Sequence, residues 1–187
     1  MSTSYRSQIE ATQALMSAML SHADTIETVA TVIADAVLGN HTLYTCGNGG
    51  SAADAGHFAE ELSGRYRTNR RALPALSLSI DALAMSCIAN DFGYDQVFSR
   101  QLEAHGKPGD VLVVFSTSGN SQSILNAITT ARSRQLKTIA LLGKGGGLAR
   151  GMADYEVIVP SLDSGRTQEM HIQVVHYVCE VIEQRCL

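Results

Sequence analysis

A histidine and a glutamate four residues apart, His57 and Glu61, are the first side chains in this sequence that could carry out chemistry. On a helix this spacing places both on one face, where an imidazole and a carboxylate can share acid–base work or bind a metal ion. Solvated pairs without function have the same spacing, so the meaning of the pair depends on its surroundings.

A glycine-rich turn lies directly before this helix. It follows the apolar run His41–Cys46 and consists of Gly47, Asn48, Gly49, Gly50 and Ser51. A strand that passes into a helix through such a turn leaves free backbone N–H groups at the helix N-terminus, and these groups bind anions, phosphate above all. Glycines at this place can also form no more than a tight turn.

A second polar loop, Ser116–Ser121, follows the apolar run Asp110–Ser116 and precedes a helix predicted over Ile124–Arg134. Its hydroxyl groups can donate hydrogen bonds to phosphate oxygens; they belong to Ser116, Thr117, Ser118 and Ser121. Serines are also common helix N-caps. Two strand–loop–helix junctions of this kind favour a phosphorylated small molecule as the ligand.

Five short apolar runs are predicted to be buried strands, and helical stretches separate most of them. The runs are His41–Cys46, Ala72–Ser79, Asp110–Ser116, Lys137–Gly143 and Tyr155–Pro160. This alternation is typical of a parallel α/β sheet with helices on both faces. Ligands of such sheets bind beyond the carboxyl ends of the strands, where the strand order reverses, and both polar loops are expected there.

Two helices are predicted before the first strand. Tyr5–Leu20 has a weak apolar stripe, and Asp24 with Glu27 forms a capping-box pattern for a helix that stops near Gly39. One sheet face does not need both helices. One of them is therefore expected to pack on another subunit, although packing on its own domain is the alternative.

A last helix is predicted over Thr167–Arg185, and it carries Gln168 and His176. Residues eight apart on a helix differ in direction by roughly 80°, so these two can converge on one site only from a wide face. Its polar residues Glu169 and His171 are predicted to be solvated.

The composition describes a folded domain without an evident macromolecular partner. The chain has 187 residues, 45% of them apolar, and a net charge of −4, which indicates one globular domain and argues against nucleic acid as a partner. No apolar run suggests a membrane span or a secretory signal. Four cysteines without a metal or disulfide pattern favour the cytoplasm.

Four segments together resemble the sedoheptulose 7-phosphate isomerases, also called phosphoheptose isomerases, of the sugar isomerase (SIS) domain superfamily. They are CGNGGSAADAGHFAEELSGRYR, ANDFGYDQVFSRQ, GDVLVVFSTSGNS and RTQEMHIQVVH. The STSGNS loop is shared by the superfamily, whereas HFAEEL and TQEMHIQVVH are more specific to the heptose enzymes. The resemblance covers nearly the whole chain in order.

The resemblance implies a single SIS domain over residues 1–187. Residues 1–40 would form N-terminal helices for oligomer packing, and residues 41–187 a five-stranded parallel core of flavodoxin-like order with a C-terminal helix. It further implies a cytoplasmic homotetramer that converts sedoheptulose 7-phosphate into D-glycero-D-manno-heptose 7-phosphate through an enediolate. This reaction begins ADP-heptose synthesis for lipopolysaccharide core or related glycans.

The resemblance also implies roles for particular residues. Glu61 would be the base and His176 its acid–base partner, and one zinc ion per subunit would be bound by His57, Glu61, Gln168 and His176. Phosphate and sugar would be bound by Asn48, Gly49, Gly50, Ser51, Arg65, Asn90, Asp91, Ser116, Thr117, Ser118, Ser121 and Gln168. The pattern assigns no role to Asp163.

Three other functions compete with the heptose isomerase, and one of them is isomerisation of a different sugar phosphate, because the loops determine which sugar length beyond C3 is accepted. A related regulatory protein binds the replication initiator DnaA and keeps the phosphate loops but loses the acid–base residues. The presence of both Glu61 and His176 in this chain argues against that function. The segment Gly143–Gly147 resembles a nucleotide-binding loop, but it lacks the Walker spacing, which excludes nucleotide hydrolysis.

Overall fold

The central element is a sheet of five parallel strands, described in a computed structural model that covers residues 4–186. The strands are β1 (Leu43–Gly47), β2 (Ala75–Ser77), β3 (Val111–Ser116), β4 (Lys137–Leu142) and β5 (Tyr155–Ile158), in the order β2-β1-β3-β4-β5. All five predicted strands are confirmed, mostly with shorter bounds. The order is the flavodoxin-like one that the resemblance implied.

Seven α-helices surround this sheet in the described residues. They are α1 (Tyr5–Ala18), α2 (Ala23–Leu38), α3 (Gly50–Ser63), α4 (Ala82–Phe92), α5 (Ser99–His105), α6 (Gln122–Ser133) and α7 (Ser164–Cys186). None of them combines the length and the apolar character that are needed to cross a membrane.

Alternation along the strands creates two hydrophobic cores, one on each face of the sheet. On one face, Leu43 and Val113 pack with α2, α3 and α7. On the other, Tyr44 and Leu112 pack with α5 and α6. Because α3 follows β1 and α6 follows β3, neighbouring strands send their helices to opposite faces. The crevice of a doubly wound sheet opens between those two helix starts.

The N-terminal helices are joined by a short 3-10 turn, Met19–His22. The prediction that Asp24 is the N-cap of the second helix is wrong. The helix begins at Ala23 directly from the turn, so Asp24 lies inside its first turn, with His22 at the cap position. The predicted stop is confirmed, with Gly39 as the C-cap.

The two N-terminal helices differ in what they bury. Along α2, seven side chains are buried in the core of this chain, whereas α1 buries only Leu15. The helix α2 therefore packs on its own domain, chiefly against α7. The prediction of packing on another subunit remains open for α1, where Tyr5 and Met16 are exposed.

Asp163, which had no role in the sequence pattern, caps α7. Its Oδ1 accepts the backbone N–H of Arg166 at 2.9 Å, and its carbonyl oxygen accepts the N–H of Thr167 at 3.0 Å. The hydrogen bond from Arg166 is the main reason why the pKa of the Asp163 carboxyl lies below its ordinary value. The cap sets where α7 starts, and hence where its functional side chains lie.

His171 is fully buried, so the prediction that it is solvated is wrong. Its ring packs edge-on against Phe115 at 5.9 Å between centroids, and its Nε2 lies 3.4 Å from the carbonyl oxygen of Leu142. Burial lowers the pKa of His171 to about 4. The imidazole is therefore neutral at neutral pH and joins α7 to the carboxyl ends of β3 and β4.

This burial predicts an acid-dependent loss of stability. In the unfolded chain His171 titrates near 6.5 and in the folded chain near 4. The unfolded state therefore binds more protons between these values, and stability falls as the pH falls through them. Complete protonation of His171 should lower the free energy of unfolding by about 3 kcal/mol.

Denaturant unfolding with chelator from pH 7 to pH 4 measures this contribution, with His171→Leu as the comparison. The variant should show a weaker decline in the free energy of unfolding toward acid. Burial raises the pKa of Asp54 to about 6, so this group makes the folded state more stable as the pH falls through the same range. Its contribution is the same in both proteins and cancels in the comparison. Identical slopes would contradict the prediction.

Candidate functional site

The first predicted anion loop has the geometry of a helix-terminus site. The strand β1 ends at Gly47, and α3 begins at Gly50 with Gly49 as an N-cap that has no side-chain capping bond. The N–H groups of Ser51 and Ala52 donate to the carbonyl oxygens of Asn48 and Gly49 at 3.1 Å, so the N–H groups that precede them in the turn are the ones predicted to attract an anion. Ser51 is buried in that same turn.

The helix α3 is fixed on the sheet by packing and by one buried hydrogen bond. The hydroxyl of Thr45 in β1 donates to the carbonyl oxygen of Ala55 at 2.6 Å. Phe58 and Leu62 are buried in the core beside it. His57 and Glu61 then lie on the flank of α3 that contacts α7.

The second predicted loop joins β3 to α6 on the opposite face. The Oγ of Ser116 accepts the N–H of Gly119 at 3.0 Å, which shapes the turn. Ser121 is the N-cap residue of α6, but its side chain makes no capping bond. The interpretation of Ser121 as an ordinary N-cap required such a bond, so its hydroxyl has no capping role here. Thr117 and Ser118 in the same loop are half-buried.

Asn48 links the first loop to the start of α6 and to the segment after α4. Its Nδ2 donates to the Oγ of Ser123 at 3.0 Å, and its Oδ1 accepts the hydroxyl of Tyr94 at 2.8 Å. Tyr94 belongs to a 3-10 turn after α4, so Asn48 ties the segment after α4 to the first loop. Sequence reasoning did not select Tyr94, because a tyrosine in a polar turn has no local signal for such a contact.

A third loop, Lys144–Ala149, packs on the second one. The N–H of Ala149 donates to the carbonyl oxygen of Gly119 at 2.9 Å, and the N–H of Leu148 donates to Oδ1 of Asn120 at 2.9 Å. These bonds fix the second loop from outside. The glycine-rich segment is thus a support for the polar loop.

His57, Glu61 and His176 converge in one chain. The Nε2 of His57 lies 3.1 Å from Nε2 of His176 and 3.4 Å from Oε1 of Glu61. One donor atom from each of the three lies within 4.8 Å of the others. The predicted meeting of residues 61 and 176, distant in sequence, is therefore present without a second subunit.

The three donor atoms suit a metal ion. Two imidazole nitrogens and one carboxylate oxygen are the donor set of many catalytic zinc sites, which leave a further position for water or substrate. The two Nε2 atoms face each other closely, and their lone pairs would repel unless a proton or a cation lies between them. The group can therefore hold a metal ion, and its chemistry does not fix which ion.

Gln168 lies on α7 near the start of α3, away from the two histidines. Its carboxamide contacts the backbone of Gly50, so close that a Cβ at that glycine would collide with it. Gly50 meets Gln168 and His57 meets His176, so α3 and α7 run side by side in the same direction. Gln168 is thus placed beside the start of α3, about 12 Å along the helix axis from His176.

The other predicted contact residues are more exposed. Arg65 follows the C-cap of α3, and Asn90 and Asp91 end α4, where Nδ2 of Asn90 donates to Oδ1 of Asp91 at 2.7 Å. The helix α4 has no fully buried side chain. The roles of these three residues in binding a sugar stay predictions.

Two residues near the histidines were not selected from the sequence. Asp54, one turn before His57, is buried, and its Oδ2 has no hydrogen-bond partner within residues 4–186. Tyr66 packs its ring on His176 at 5.6 Å between centroids. Both belong to the motif that begins at Cys46, but a buried acid and a stacking tyrosine show no distinctive spacing.

A groove of about 420 Å³ runs past His176. Tyr66, Arg67 and Glu180 line it on one side, and the side chains of Arg67 and Glu180 form an ion pair at 2.7 Å. The histidine is therefore reachable from solvent on the outer face of α7.

Comparison with known proteins finds relatives along nearly the whole chain. Residues 5–143 match a family model described as the SIS domain. A phosphoheptose isomerase of Akkermansia muciniphila is 46% identical over 184 residues, which cover 98% of this chain and 97% of the relative. A phosphoheptose isomerase of Yersinia pestis is 50% identical over 165 residues, 88% of this chain and 85% of the relative.

Solved structures give the same result. A phosphoheptose isomerase from Neisseria gonorrhoeae superposes with a TM-score of 0.89 at 35% identity, and one from Francisella tularensis with a TM-score of 0.92 at 32% identity. Each alignment covers 96% of both chains. The sheet and its loops thus have the architecture of these proteins.

The contact between the second and third loops predicts a stability difference between two glycines. Gly119 and Gly145 both have positive φ, at 65° and 76°. A Cβ at Gly145 meets open space, whereas one at Gly119 collides with the carbonyl oxygen of Gly146. We expect Gly145→Ala to cost about 1–2 kcal/mol from backbone strain alone.

Gly119→Ala should cost about 3 kcal/mol or more, because the adjoining backbone must also move. Denaturant unfolding of both variants and the parent checks this difference. Equal stability of the two variants would show that the backbone of the third loop does not pack closely against Gly119.

Proposed function

Since this chain belongs to the phosphoheptose isomerase family of SIS-domain proteins, we propose that it converts sedoheptulose 7-phosphate into D-glycero-D-manno-heptose 7-phosphate. The observation that carries this proposal is the convergence of His57, Glu61 and His176, two turns along α3 from the glycine-rich helix start that is predicted to bind phosphate. Membership of the family makes the chain a sugar phosphate isomerase. The particular sugar is the proposal.

The spacing along α3 supports a long sugar phosphate. Gly50 begins the helix at the anion loop, and His57 lies two turns further along. A separation of about 10 Å along the helix axis suits a phosphorylated ketose with a long carbon chain and is too great for a triose phosphate. In this arrangement the phosphate lies at the helix start and the reacting carbons lie near the histidines.

The phosphate would be held mainly by neutral donors. Backbone N–H groups at the start of α3 and hydroxyls of both loops can donate to its oxygens. The residues assigned to it are Gly49, Gly50, Ser51, Ser116, Thr117, Ser118 and Ser121. Those assigned to the sugar are Asn48, Arg65, Asn90, Asp91 and Gln168.

The isomerisation moves one proton between neighbouring carbons and another between their oxygens. Glu61 removes a proton from C1 of the ketose and returns it to C2, so that an enediolate lies between the two states. His176 gives a proton to O2 and removes one from O1, which suits an imidazole. Proton count and charge are then the same before and after the reaction.

Zinc is the cofactor proposed here, held by His57, Glu61 and His176. Gln168, the fourth ligand that the resemblance implies, lies beside Gly50 in this chain and is therefore assigned to the substrate and not to the ion. When bound, it would supply a Lewis acid for the substrate oxygens. Glu61 and His176 are then each assigned both to the donor set and to proton transfer, and the variant described below separates the two assignments for Glu61.

A homotetramer is proposed for the assembly. Apolar side chains exposed along α4 and the segment before it support it, since a surface of this kind on a single chain marks an interface. They include Ile80, Leu83 and Phe92. We further propose a cytoplasmic location and a role at the first step of ADP-heptose synthesis for lipopolysaccharide core or related glycans.

A panel of ketose phosphates tests the substrate. The purified chain should form aldose from sedoheptulose 7-phosphate with the highest kcat/KM, and each carbon removed, as in fructose 6-phosphate, should lower it about tenfold or more. A chelator should abolish turnover, and zinc should restore it. Equal kcat/KM over the panel would refute the heptose assignment, and no aldose from any ketose would refute the function.

Replacing Glu61 tests the base. Glu61→Gln should lower kcat by about 10²–10⁴-fold while the fold is kept, because the amide cannot accept the carbon-bound proton. Glu103→Gln on α5 is the control and should leave turnover unchanged. Metal content is measured in parallel: lost turnover with retained zinc assigns Glu61 to proton transfer, whereas loss of both assigns it to the donor set. Normal turnover would refute either role.

A further inference from the structure

The imidazole of His57 lies between two consecutive glutamates. Its Nδ1 is 3.2 Å from Oε1 of Glu60, and its Nε2 is 3.4 Å from Oε1 of Glu61 and 3.1 Å from Nε2 of His176. The metal-binding group uses the Nε2 side of the ring. Glu60 contacts only the opposite side and has no part in the function proposed above.

We propose that Glu60 is a positioning residue that holds the proton of neutral His57 on Nδ1. A neutral imidazole has one N–H and one lone pair, and an ionised carboxylate only accepts hydrogen bonds. With the N–H on Nδ1 donated to Glu60, the lone pair of Nε2 points toward Glu61 and His176. The other tautomer would set the Nδ1 lone pair against the carboxylate of Glu60, whereas in the proposed one the Nε2 lone pair can accept the Nε2–H of His176 when no metal is bound.

Histidines that bind metals commonly donate their second ring N–H to a carboxylate, which fixes the tautomer and the ring orientation. The geometry favours Glu60 for this task, since only its carboxylate faces Nδ1, the ring nitrogen on the side away from His176. Glu61 remains free to direct its oxygen at the shared centre. The inference rests on the proposed function only in treating that centre as the reactive one.

Because Glu60 is exposed, its effect on His57 can be measured without a large change in the stability of the protein. The side chain of Glu60 is 68% exposed, against 13% for Glu61. An exposed pair three residues apart on a helix contributes little to the free energy of unfolding. Loss of Glu60 should therefore leave the fold intact, and a change at His57 would reflect orientation.

The test uses Glu60→Ala, Glu60→Gln and a matched control, Glu103→Ala. Glu103 is an exposed carboxylate that pairs with Arg100, three residues away on α5, at 3.8 Å. Glutamine keeps an oxygen that accepts the Nδ1–H, so it should preserve most of what alanine loses. All variants are made in the full chain.

The first readout is the tautomer of His57, from nitrogen-15 NMR of histidine-labelled, metal-free protein. The parent and Glu60→Gln should show the Nδ1–H form, and Glu60→Ala should lose it. The second is zinc affinity by calorimetry, which should fall about 10–100-fold in Glu60→Ala and stay unchanged in Glu103→Ala. The third is turnover, where kcat should fall more than KM changes.

An unchanged tautomer and unchanged zinc affinity in Glu60→Ala would overturn the positioning role, whatever the activity of the parent. A tautomer that shifts in Glu60→Ala but not in Glu60→Gln supports the role even if the parent isomerises no heptulose. That second result would refute the proposed function alone, so the two failures can be distinguished.

Discussion

The site depends on the register of α3 against α7. These helices run in the same direction on one face of the sheet, so that Gln168 meets the start of α3 at Gly50 and His176 meets His57 two turns later. One residue of slip would turn His176 by about 100° away from its partners. The register is held from both sides: Asp163 fixes where α7 begins, and the buried His171 fixes its height on the sheet.

The sheet supplies the second constraint, because it decides where the polar loops can meet. The strands β1 and β3 pair in parallel with Gly47 opposite Phe115, so β3 ends only one residue beyond β1. Their helices leave to opposite faces, and the space between the two helix starts cannot be filled by either. Asn48 crosses part of it through its bonds to Ser123 and Tyr94. The two polar loops and the group of His57, Glu61 and His176 are thus held on different elements that one sheet edge keeps in place.

The sequence predicted what local pattern controls. Apolar runs and glycine turns located all five strands and both polar loops, because each depends on neighbouring residues. It did not locate the cap of α2, since the 3-10 turn that precedes Ala23 has no spacing signal. The prediction for His171 was wrong because it rested on the polarity of the side chain and not on its place beside the apolar residues Met170 and Val174. The carbonyl oxygen of Leu142 on β4 lies near its Nε2 and makes burial of the ring tolerable. The convergence of His57 with His176, 119 residues apart, came from resemblance, since helix packing decides it.

The pair Glu60–Glu61 shows how backbone geometry can give identical side chains different work. Successive residues on a helix point about 100° apart, so one carboxylate reaches Nδ1 of His57 from the solvent side and the other reaches Nε2 from the interior. The exposed carboxylate is solvated and can only orient the ring, whereas the enclosed one faces the second histidine, where electrostatic interactions are stronger. A one-residue shift of this dipeptide along α3 would put one of the two glutamates at the position of buried Ala59 or Leu62. The chemistry at His57 therefore follows from helical phase as much as from residue type.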